Sequence, residues 1–204
     1  MNKPHSHLVR EHKVLIITGT PGVGKSSVSK KLTSKVNAEL VSIGDLVSKE
    51  KLYIKADRKR NTLIADMEKT SNRIKDIISH TSGTLIIEGH YAVDVVPPET
   101  VSLVFVLRRN PEELKETLKN RGYKDGKVYE NLAAEILDVC LYDAVKKYSI
   151  EKVCEIDVSE RTTDEVTKEI LQVLQGKKKC RINIVDWLGK LYAEEKLDEY
   201  LKDF

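Results

Sequence analysis

Short hydrophobic runs recur along the chain and are separated by longer stretches in which apolar positions repeat every three or four residues. The runs are nearly continuous and rich in β-branched residues, a pattern typical of strands that are covered on both faces. They predict five strands, at Val14–Thr18, Leu40–Ile43, Thr84–Glu88, Leu103–Leu107 and Val153–Val158.

The stretches between these runs carry helix signals. The sequence Asn110-Pro111-Glu112-Glu113 offers an N-cap residue, a proline in the first turn and early acidic residues. The apolar positions from Ile136 to Tyr148 indicate one continuous buried helical stripe. Thr163 opens a further helix, which Gly176 closes. Strands that alternate with helices predict a parallel sheet, and therefore one doubly wound α/β domain.

The pattern divides the chain into three parts. Residues 1–12 are expected to form a flexible tail, and residues 13–176 to form the α/β domain. Residues 177–204 begin with a basic run, Lys177–Arg181, and continue with a second amphipathic pattern. We expect them to form an extra C-terminal helix that packs on the body or on a partner.

Composition narrows the function classes. Lys and Arg number 35 against 32 Asp and Glu, and a net charge of +3 does not by itself indicate nucleic-acid binding. The apolar runs are far shorter than the roughly 20 residues of a membrane span, and the polar N-terminus lacks a secretory signal. We therefore expect a cytoplasmic protein without membrane contact. The three cysteines, Cys140, Cys154 and Cys180, are predicted to be buried, inert thiols.

The first predicted strand runs directly into Gly19–Ser26, a full G-x-x-x-x-G-K-[ST] phosphate-binding loop. Glycines such as Gly22 and Gly24 let successive backbone N–H groups point at phosphate oxygens. The helix that follows presents its positive N-terminal end to the same anion. The loop therefore predicts binding of a nucleoside triphosphate.

Three side chains after the glycines complete the predicted ATP site. Lys25 neutralises charge on the β- and γ-phosphates, and the hydroxyl of Ser26 ligates Mg²⁺. Ser27 is the next residue of the helix and is included among the ATP contacts. A GTPase would also need an N-K-x-D motif after a later strand, which the sequence lacks, so a small kinase is favoured.

The order of motifs resembles the adenylate kinase isoenzyme 6 family, a group of small P-loop proteins of archaea and eukaryotic nuclei. The resemblance covers about residues 14–175 and excludes the two ends. The matching segments are GTPGVGKS at 19–26, SIGDLVSKEKLY at 42–53, EGHYAVDVVP at 88–97, VFVLRRNPEEL at 104–114 and RGYKDGKVYENLAAEI at 121–136.

The resemblance implies a fold of the nucleoside monophosphate kinase type. It also implies a Mg²⁺- and ATP-dependent adenylate kinase that converts ATP and AMP to two ADP, with ATPase activity. The family is linked to small ribosomal subunit assembly and rRNA maturation, so a small-subunit ribosomal platform protein, and contact with rRNA, are implied as partners. Its implied location is the cytoplasm, or the nucleus for a eukaryotic source.

Other functions stay open at this point. The chain is alternatively a partner-activated assembly ATPase with negligible nucleotide kinase activity, or another nucleoside monophosphate kinase. A kinase for a non-nucleotide acceptor such as shikimate is disfavoured, because the acceptor-binding arginine pattern of those enzymes is not found.

Two residues at the end of the third predicted strand are catalytic candidates. Carboxyl ends of parallel strands form the functional edge of a sheet, so the carboxylate of Glu88 is placed to hold Mg²⁺ through water. The family usually has aspartate there, followed two residues later by the histidine that this chain has as His90. We expect His90 to orient a water molecule or to sense the γ-phosphate, unless local hydrogen bonds occupy it.

The resemblance also implies a flap at residues 42–65 that covers the acceptor nucleotide. Gly44 and Asp45 begin it, and both belong to the predicted acceptor site, although they also suit a turn and a helix cap. A basic residue is expected to meet the acceptor phosphate. Lys49 is taken as that residue, and the other nearby basic candidates are Lys55, Arg58 and Arg60.

The remaining candidates lie further along the chain. A short lid at residues 120–130 begins with Arg121, which the family places against the ATP phosphates. Arg108 leaves the fourth strand and is assigned to the acceptor site, although it and Arg109 also suit pairing with nearby glutamates. Arg161, after the last strand, is similar to a family position near the adenine.

Overall fold

The computed structural model describes residues 14–57 and 62–201. The strands in these ranges are β1 (Val14–Thr18), β2 (Glu39–Ser42), β3 (Tyr53–Asp57), β4 (Thr62–Ala65), β5 (Leu85–Glu88), β6 (Leu103–Arg108) and β7 (Val153–Asp157). The α-helices are α1 (Lys25–Val36), α2 (Ile43–Lys49), α3 (Met67–His80), α4 (Ala92–Val95), α5 (Pro111–Asn120), α6 (Asp125–Ile136), α7 (Val139–Tyr148), α8 (Thr163–Leu174), α9 (Trp187–Ala193) and α10 (Leu197–Tyr200). The predicted tail at residues 1–12 lies outside the described residues.

Five parallel strands form the central sheet in the order β2-β5-β1-β6-β7. All five predicted strands are confirmed, and their ends differ from the prediction by at most one residue. The sheet is covered on both faces, because alternate β1 residues join different buried clusters. Leu15 and Ile17 belong to one cluster, and Val14 and Ile16 to the other. The α/β fold with a parallel sheet is therefore confirmed.

The apolar stripe from Ile136 to Tyr148 is not one continuous helix. Helix α6 ends at Ile136, and α7 begins at Val139. Asp138 between them has the left-handed φ of 56°, a conformation that ends a right-handed helix. An ion pair between the Asp138 carboxylate and Arg108 stabilises this break, and the sequence periodicity alone does not reveal it.

The segment predicted as the flap contains α2 and a two-stranded ribbon, which we call the flap ribbon (β3 and β4). Its strands pair antiparallel, and the sequence pattern did not predict them. The ribbon is poorly covered, with Ile54 at 74% and Ile64 at 46% exposure. Such short exposed strands carry no burial pattern that sequence periodicity can detect.

The predicted lid also differs from the structure. The lid is predicted at residues 120–130, whereas the second half of this segment is already helical, because α6 begins at Asp125. The connection between α5 and α6 is therefore only residues 121–124, and Gly122 turns it with a φ of 73°.

Two short helices, rather than the one predicted, occupy the C-terminal extension. Trp187 and Leu191 of α9 and Tyr200 of α10 are buried in the same apolar cluster as α5 and α6. Ion pairs from Lys115 to Glu199 and from Lys196 to Glu112 join the extension to α5. The extension thus packs on the body of this chain.

The prediction of three free thiols is wrong for two of them. Cys154 of β7 and Cys180 form a disulfide with a Cα–Cα distance of 4.6 Å, whereas Cys140 is free. The Glu155 N–H donates to the Arg181 carbonyl at 2.8 Å, and this contact aligns the chain after α8 with β7. The two cysteines are 26 residues apart in the sequence, which hides the disulfide from sequence analysis.

None of the helices in the described part of the chain is both long enough and apolar enough to cross a membrane.

Candidate active site

The phosphate-binding loop joins β1 to α1 at the carboxyl edge of the sheet. Gly22 has a φ of 101°, and a Cβ there would lie 2.8 Å from the Leu114 side chain and 3.0 Å from that of Leu118. Gly24 has a φ of 104° and comes directly before α1, and no atom lies within 4 Å of its Cβ direction. The loop is therefore tightly packed against α5 at Gly22 and open at Gly24, where the N-terminus of α1 can receive an anion.

The ammonium of Lys25 is held over this loop. Its Nζ donates to the Gly19 carbonyl at 2.8 Å and to the Thr20 carbonyl at 3.0 Å, and the residue is 9% exposed. Burial lowers the pKa of Lys25, whereas the nearby carboxylates of Glu88 and Glu135 raise it. These carboxylates help the lysine to keep the charge that a phosphate group requires.

Ser26 and Glu88 meet across the sheet edge. The Ser26 hydroxyl donates to Glu88 Oε1 at 3.2 Å, so the longer acid side chain reaches the serine where the family usually has aspartate. A hydroxyl and a carboxylate are hard oxygen donors of the kind that Mg²⁺ takes, usually together with water and phosphate oxygens. The pair therefore fits the predicted metal site.

Beside this pair lies a cavity of about 380 Å³, which we call the Ser26 cavity. It is bounded by the first turns of α1, by the end of β2 and by α2. Its lining residues are Ser26, Lys30, Leu40, Val41, Ser42, Asp45, Leu46, Lys49 and Glu88. Two of the predicted acceptor residues, Asp45 and Lys49, therefore lie next to the predicted metal ligands.

A second cavity of about 380 Å³, the flap cavity, lies between α2 and the flap ribbon. Its lining residues are Gly44, Val47, Ala56, Asp57, Thr62, Leu63, His90 and Tyr91. The predicted acceptor residues are thus divided, with Gly44 in this cavity and Asp45 and Lys49 in the other. The Ser42 hydroxyl, rather than Asp45, caps α2. Arg58 and Arg60 lie outside the described residues.

His90 lies between the phosphate-binding loop and the flap cavity. The Thr18 hydroxyl donates to the His90 carbonyl at 3.4 Å. The imidazole contacts the Tyr91 ring edge-on, with 4.5 Å between the ring centroids. His90 is exposed to solvent, but the surrounding protein and the positive charges of Lys25 and Lys127 lower its pKa from 6.5 to about 4. The imidazole is therefore neutral at neutral pH and can accept a hydrogen bond or a proton.

Two cations of the predicted lid act on the same region. Arg121 ends α5, and its positive charge is close enough to lower the pKa of Lys25. Lys127, in the first turn of α6, has the corresponding effect on the pKa of His90. The structure thus brings Arg121 toward the phosphate-binding loop, and it adds Lys127, which sequence reasoning did not single out.

Arg108 is not part of the acceptor site in this structure. It is 1% exposed, and its guanidinium donates to Glu135 Oε1 at 2.8 Å, to Glu155 Oε1 at 2.6 Å and to Asp138. A guanidinium that carboxylates already surround in the interior is unavailable to an acceptor phosphate. Arg109 pairs with Glu113 at 3.1 Å, one of the two alternatives that the sequence left open.

The last two predicted ATP contacts lie at the edges of the site. Ser27 is exposed in the first turn of α1. Arg161 follows β7, but its guanidinium donates to the Asp157 carbonyl at 2.6 Å and pairs with Glu169 of α8 at 2.7 Å. The Arg161 side chain is therefore held on α8 rather than on the phosphate-binding loop.

Sequence reasoning missed the buried support of this loop. The Thr20 hydroxyl donates to Glu135 Oε2 at 2.5 Å, across 115 residues of sequence. Glu135 closes the E-N-x-x-x-E part of the quoted motif, which was the available signal, but its contact with the loop depends on tertiary structure.

The comparisons agree with this geometry. Residues 15–138 match the family described as AAA domain. A protein named "Putative adenylate kinase" from Methanocaldococcus jannaschii is 40% identical over 178 residues, which cover 87% of this chain and 94% of the relative. A protein with the same name from Saccharolobus islandicus is 36% identical over 189 residues, covering 91% of this chain and 93% of the relative.

Solved structures show the same fold. The shikimate kinase from Bacteroides thetaiotaomicron superposes with a TM-score of 0.54 over 80% of this chain and 98% of its own. At a sequence identity of 16%, this superposition supports the fold and says nothing about the acceptor. The resemblance found in the sequence is confirmed. The phosphate-binding loop and its neighbours thus form a nucleotide site, and this chain belongs to the adenylate kinase family of those archaeal relatives, within the AAA domain family, and is a phosphotransferase.

Proposed function

We propose that the protein is a Mg²⁺- and ATP-dependent adenylate kinase that transfers the γ-phosphate of ATP to AMP and forms two ADP. One observation carries this proposal: His90 lines the flap cavity and also lies within the electrostatic reach of Lys25. A donor phosphate on the loop and an acceptor in the flap cavity would therefore meet at one edge of the sheet. The names of the archaeal relatives favour AMP as the acceptor.

The residues present suit phosphoryl transfer, which depends on positioning and on charge stabilisation. Lys25 and the N-terminus of α1 hold the β- and γ-phosphates, and Arg121 stabilises the charge that develops in the transition state. Ser26, and Glu88 through water, would hold Mg²⁺, which neutralises charge on the phosphate oxygens when it is bound. The phosphate of AMP is already anionic, so a strong general base is not required.

The acceptor site determines how efficient this kinase is. Among the described residues that line the flap cavity, none is a lysine or an arginine. Gly44 and Tyr91 therefore contribute shape, and the acceptor phosphate would depend on a cation from outside this lining, such as Lys49 of the Ser26 cavity or Lys55 of β3. We expect a high KM for AMP for this reason.

A second activity, hydrolysis of ATP, is favoured by the neutral imidazole of His90. A neutral histidine beside the loop can accept a hydrogen bond from water and direct the water's oxygen at the γ-phosphate. The family resemblance supports hydrolysis as an assembly step on a small-subunit ribosomal platform protein, with rRNA contact through exposed residues such as Lys177 and Lys179. The cytoplasm, or the nucleus of a eukaryotic source, suits that role.

The first experiment measures turnover of ATP by the purified protein with Mg²⁺, with and without AMP, while ADP and free phosphate are resolved. Two ADP per ATP with little phosphate support the kinase. Slow release of phosphate that AMP does not change supports the assembly ATPase and contradicts the kinase.

The histidine variant His90→Ala separates the two activities. We expect hydrolysis to fall more than transfer to AMP, because only hydrolysis needs an ordered water. His80→Ala is the matched control, since His80 is an exposed histidine at the end of α3. Equal losses of both activities in His90→Ala contradict the water-orienting function.

A further inference from the structure

We propose that Glu135 is a positioning residue of the phosphate-binding loop: its buried carboxylate holds Thr20 in place, and Arg108 acts on the loop through Glu135. The inference rests on the proposed function only in that the loop binds ATP, and it is independent of the acceptor. We call Thr20, Glu135, Arg108 and Glu155 the Glu135 network.

Thr20 lies on the buried side of the phosphate-binding loop. Its side chain is fully buried and donates to Glu135 Oε2 at 2.5 Å, on the side away from solvent. The carbonyl of the same residue accepts from Lys25 Nζ at 3.0 Å. Two successive hydrogen bonds therefore connect Glu135 to the lysine that meets the phosphates, so a shift of Thr20 would move a group that holds Lys25.

Glu135 uses its two carboxylate oxygens for different partners. Arginine and carboxylate groups usually pair through two parallel bonds. Here Oε1 accepts from Arg108 Nε at 2.8 Å and from the Arg109 N–H at 3.0 Å, whereas Oε2 is left for Thr20. The carboxylate thus bridges the end of β6 and the phosphate-binding loop, which a simple core ion pair would not do.

The buried carboxylates of the Glu135 network all have hydrogen-bond donors. Glu135 is 1% exposed and Glu155 is 2% exposed, and a buried carboxylate is tolerated only when donors surround it. Arg108 donates to both glutamates, and Glu155 Oε2 also accepts from the Ile184 N–H at 2.8 Å. Since every partner is engaged, displacement of one group leaves a buried charge unpaired, and this cost holds the arrangement in a single geometry.

Glu135 also acts electrostatically on Lys25. The negative charge of Glu135 raises the pKa of Lys25 against the lowering caused by burial. The same side chain therefore helps to fix both the position of the loop and the charge of its lysine.

The test measures the Kd of Mg-ATP by calorimetry for variants of Thr20 and Glu135. Thr20→Val removes the hydroxyl and keeps the shape, and we expect a Kd about tenfold higher, as for loss of a hydrogen bond to a charged group. Thr20→Ser keeps the hydroxyl and should bind within about twofold of wild type. We expect Glu135→Gln to weaken binding at least as much as Thr20→Val.

A double variant decides whether the two residues act together. If Glu135 acts through Thr20, the Thr20→Val/Glu135→Gln protein binds Mg-ATP no more weakly than Glu135→Gln alone. Multiplied effects, or wild-type affinity in Thr20→Val, overturn the inference. If Glu135→Gln fails to fold, the Thr20→Val and Thr20→Ser pair still decides the question, because both variants leave the buried charges in place.

Two controls separate this inference from other causes. Thr167→Val removes another buried threonine hydroxyl, which donates to the Thr163 carbonyl at 2.7 Å within α8, and it should leave the Kd of Mg-ATP unchanged. Lys25→Ala is titrated in the same way. If Lys25→Ala also leaves the affinity unchanged, the ATP site itself is misassigned, whereas an effect of Lys25→Ala alone contradicts only the positioning by Glu135.

Discussion

The phosphate-binding loop and the flap ribbon lie at the same edge of the sheet, yet very different amounts of protein surround them. Thr20 of the loop is fully buried, and Lys25 is 9% exposed. In the ribbon, Ile54 is 74% and Leu63 is 37% exposed. Segments with few buried contacts open at low free-energy cost, whereas segments fixed in the core open only with global unfolding. If the flap ribbon covers the acceptor, as proposed, the donor side is pre-organised and the acceptor side can close on its substrate at low cost.

The largest effect should come from the donor side. Lys25→Ala removes the ammonium that meets the phosphates, and we expect the rate of ATP turnover to fall at least about 100-fold, as for loss of one preorganised charge-stabilising donor. The measurement is ATP consumption with saturating AMP. Lys35→Ala, in the exposed last turn of α1, is the control and should keep full activity. Substantial turnover in Lys25→Ala would contradict a pre-organised loop.

The next effect concerns the tight packing behind the loop. Gly22→Ala forces a Cβ toward Leu114 and Leu118 at a positive φ, and we expect a loss of about 1–3 kcal/mol in the free energy of unfolding. Denaturant unfolding measures this loss. Gly83→Ala is the matched control, because its Cβ would meet open space. Equal stability of the two variants would show that the loop tolerates more than its packing indicates.

A smaller and more selective effect is expected on the acceptor side. Leu63→Ala removes apolar contact from the flap cavity, so the KM for AMP should rise about two- to fivefold, which is on the order of 1 kcal/mol. The KM for ATP and the free energy of unfolding should change little. Leu114→Ala is the donor-side counterpart. It removes a fully buried side chain and should cost about 2–5 kcal/mol of stability. A rise in both KM values for Leu63→Ala would remove the contrast between the two sides.

The smallest effect concerns pH. The pKa of His90 is lowered from 6.5 to about 4, so the unfolded chain binds a proton there at a higher pH than the folded protein does. His90 therefore makes the free energy of unfolding fall as the pH drops from 6.5 toward 4, and this contribution is absent above 6.5. Unfolding of wild type and His90→Gln across this range should show a shallower fall in the variant. Parallel curves would mean that folding leaves the pKa of His90 unchanged.

The sequence was sufficient for the features that depend on local pattern. Four of the five strands, β1, β5, β6 and β7, were found because they are short and almost fully buried runs. The edge strand β2 is only partly buried and was found because Leu40 and Val41 give it the same apolar pattern. The loop Gly19–Ser26 was found because its chemistry requires consecutive residues. The flap ribbon was missed because its side chains are exposed. The break at Asp138 was missed because an ion pair with Arg108, rather than a glycine, stabilises the left-handed residue there.

The candidate site was predictable only where side chains act near their own strand. Ser26 and Glu88 meet because both lie at the carboxyl edge, as predicted. Arg108 lies at the same edge, but the sequence does not show whether its side chain turns toward the cleft or the interior. The interior position depends on Glu135 and Glu155, which lie 27 and 47 residues away in the chain.

The segment that follows α8 has a consequence for solubility. β7 is the last strand of the sheet, and its free edge would present backbone groups on which another chain could add a strand. The Arg181 carbonyl occupies part of this edge by accepting a hydrogen bond from the Glu155 N–H. The Ile184 N–H holds the same segment in place by donating to the Glu155 side chain. A chain cut after Gly176 would uncover the edge together with the apolar surface that Trp187 and Leu191 cover. We therefore expect such a fragment to aggregate, because residues 177–201 shield the parallel sheet from intermolecular strand pairing.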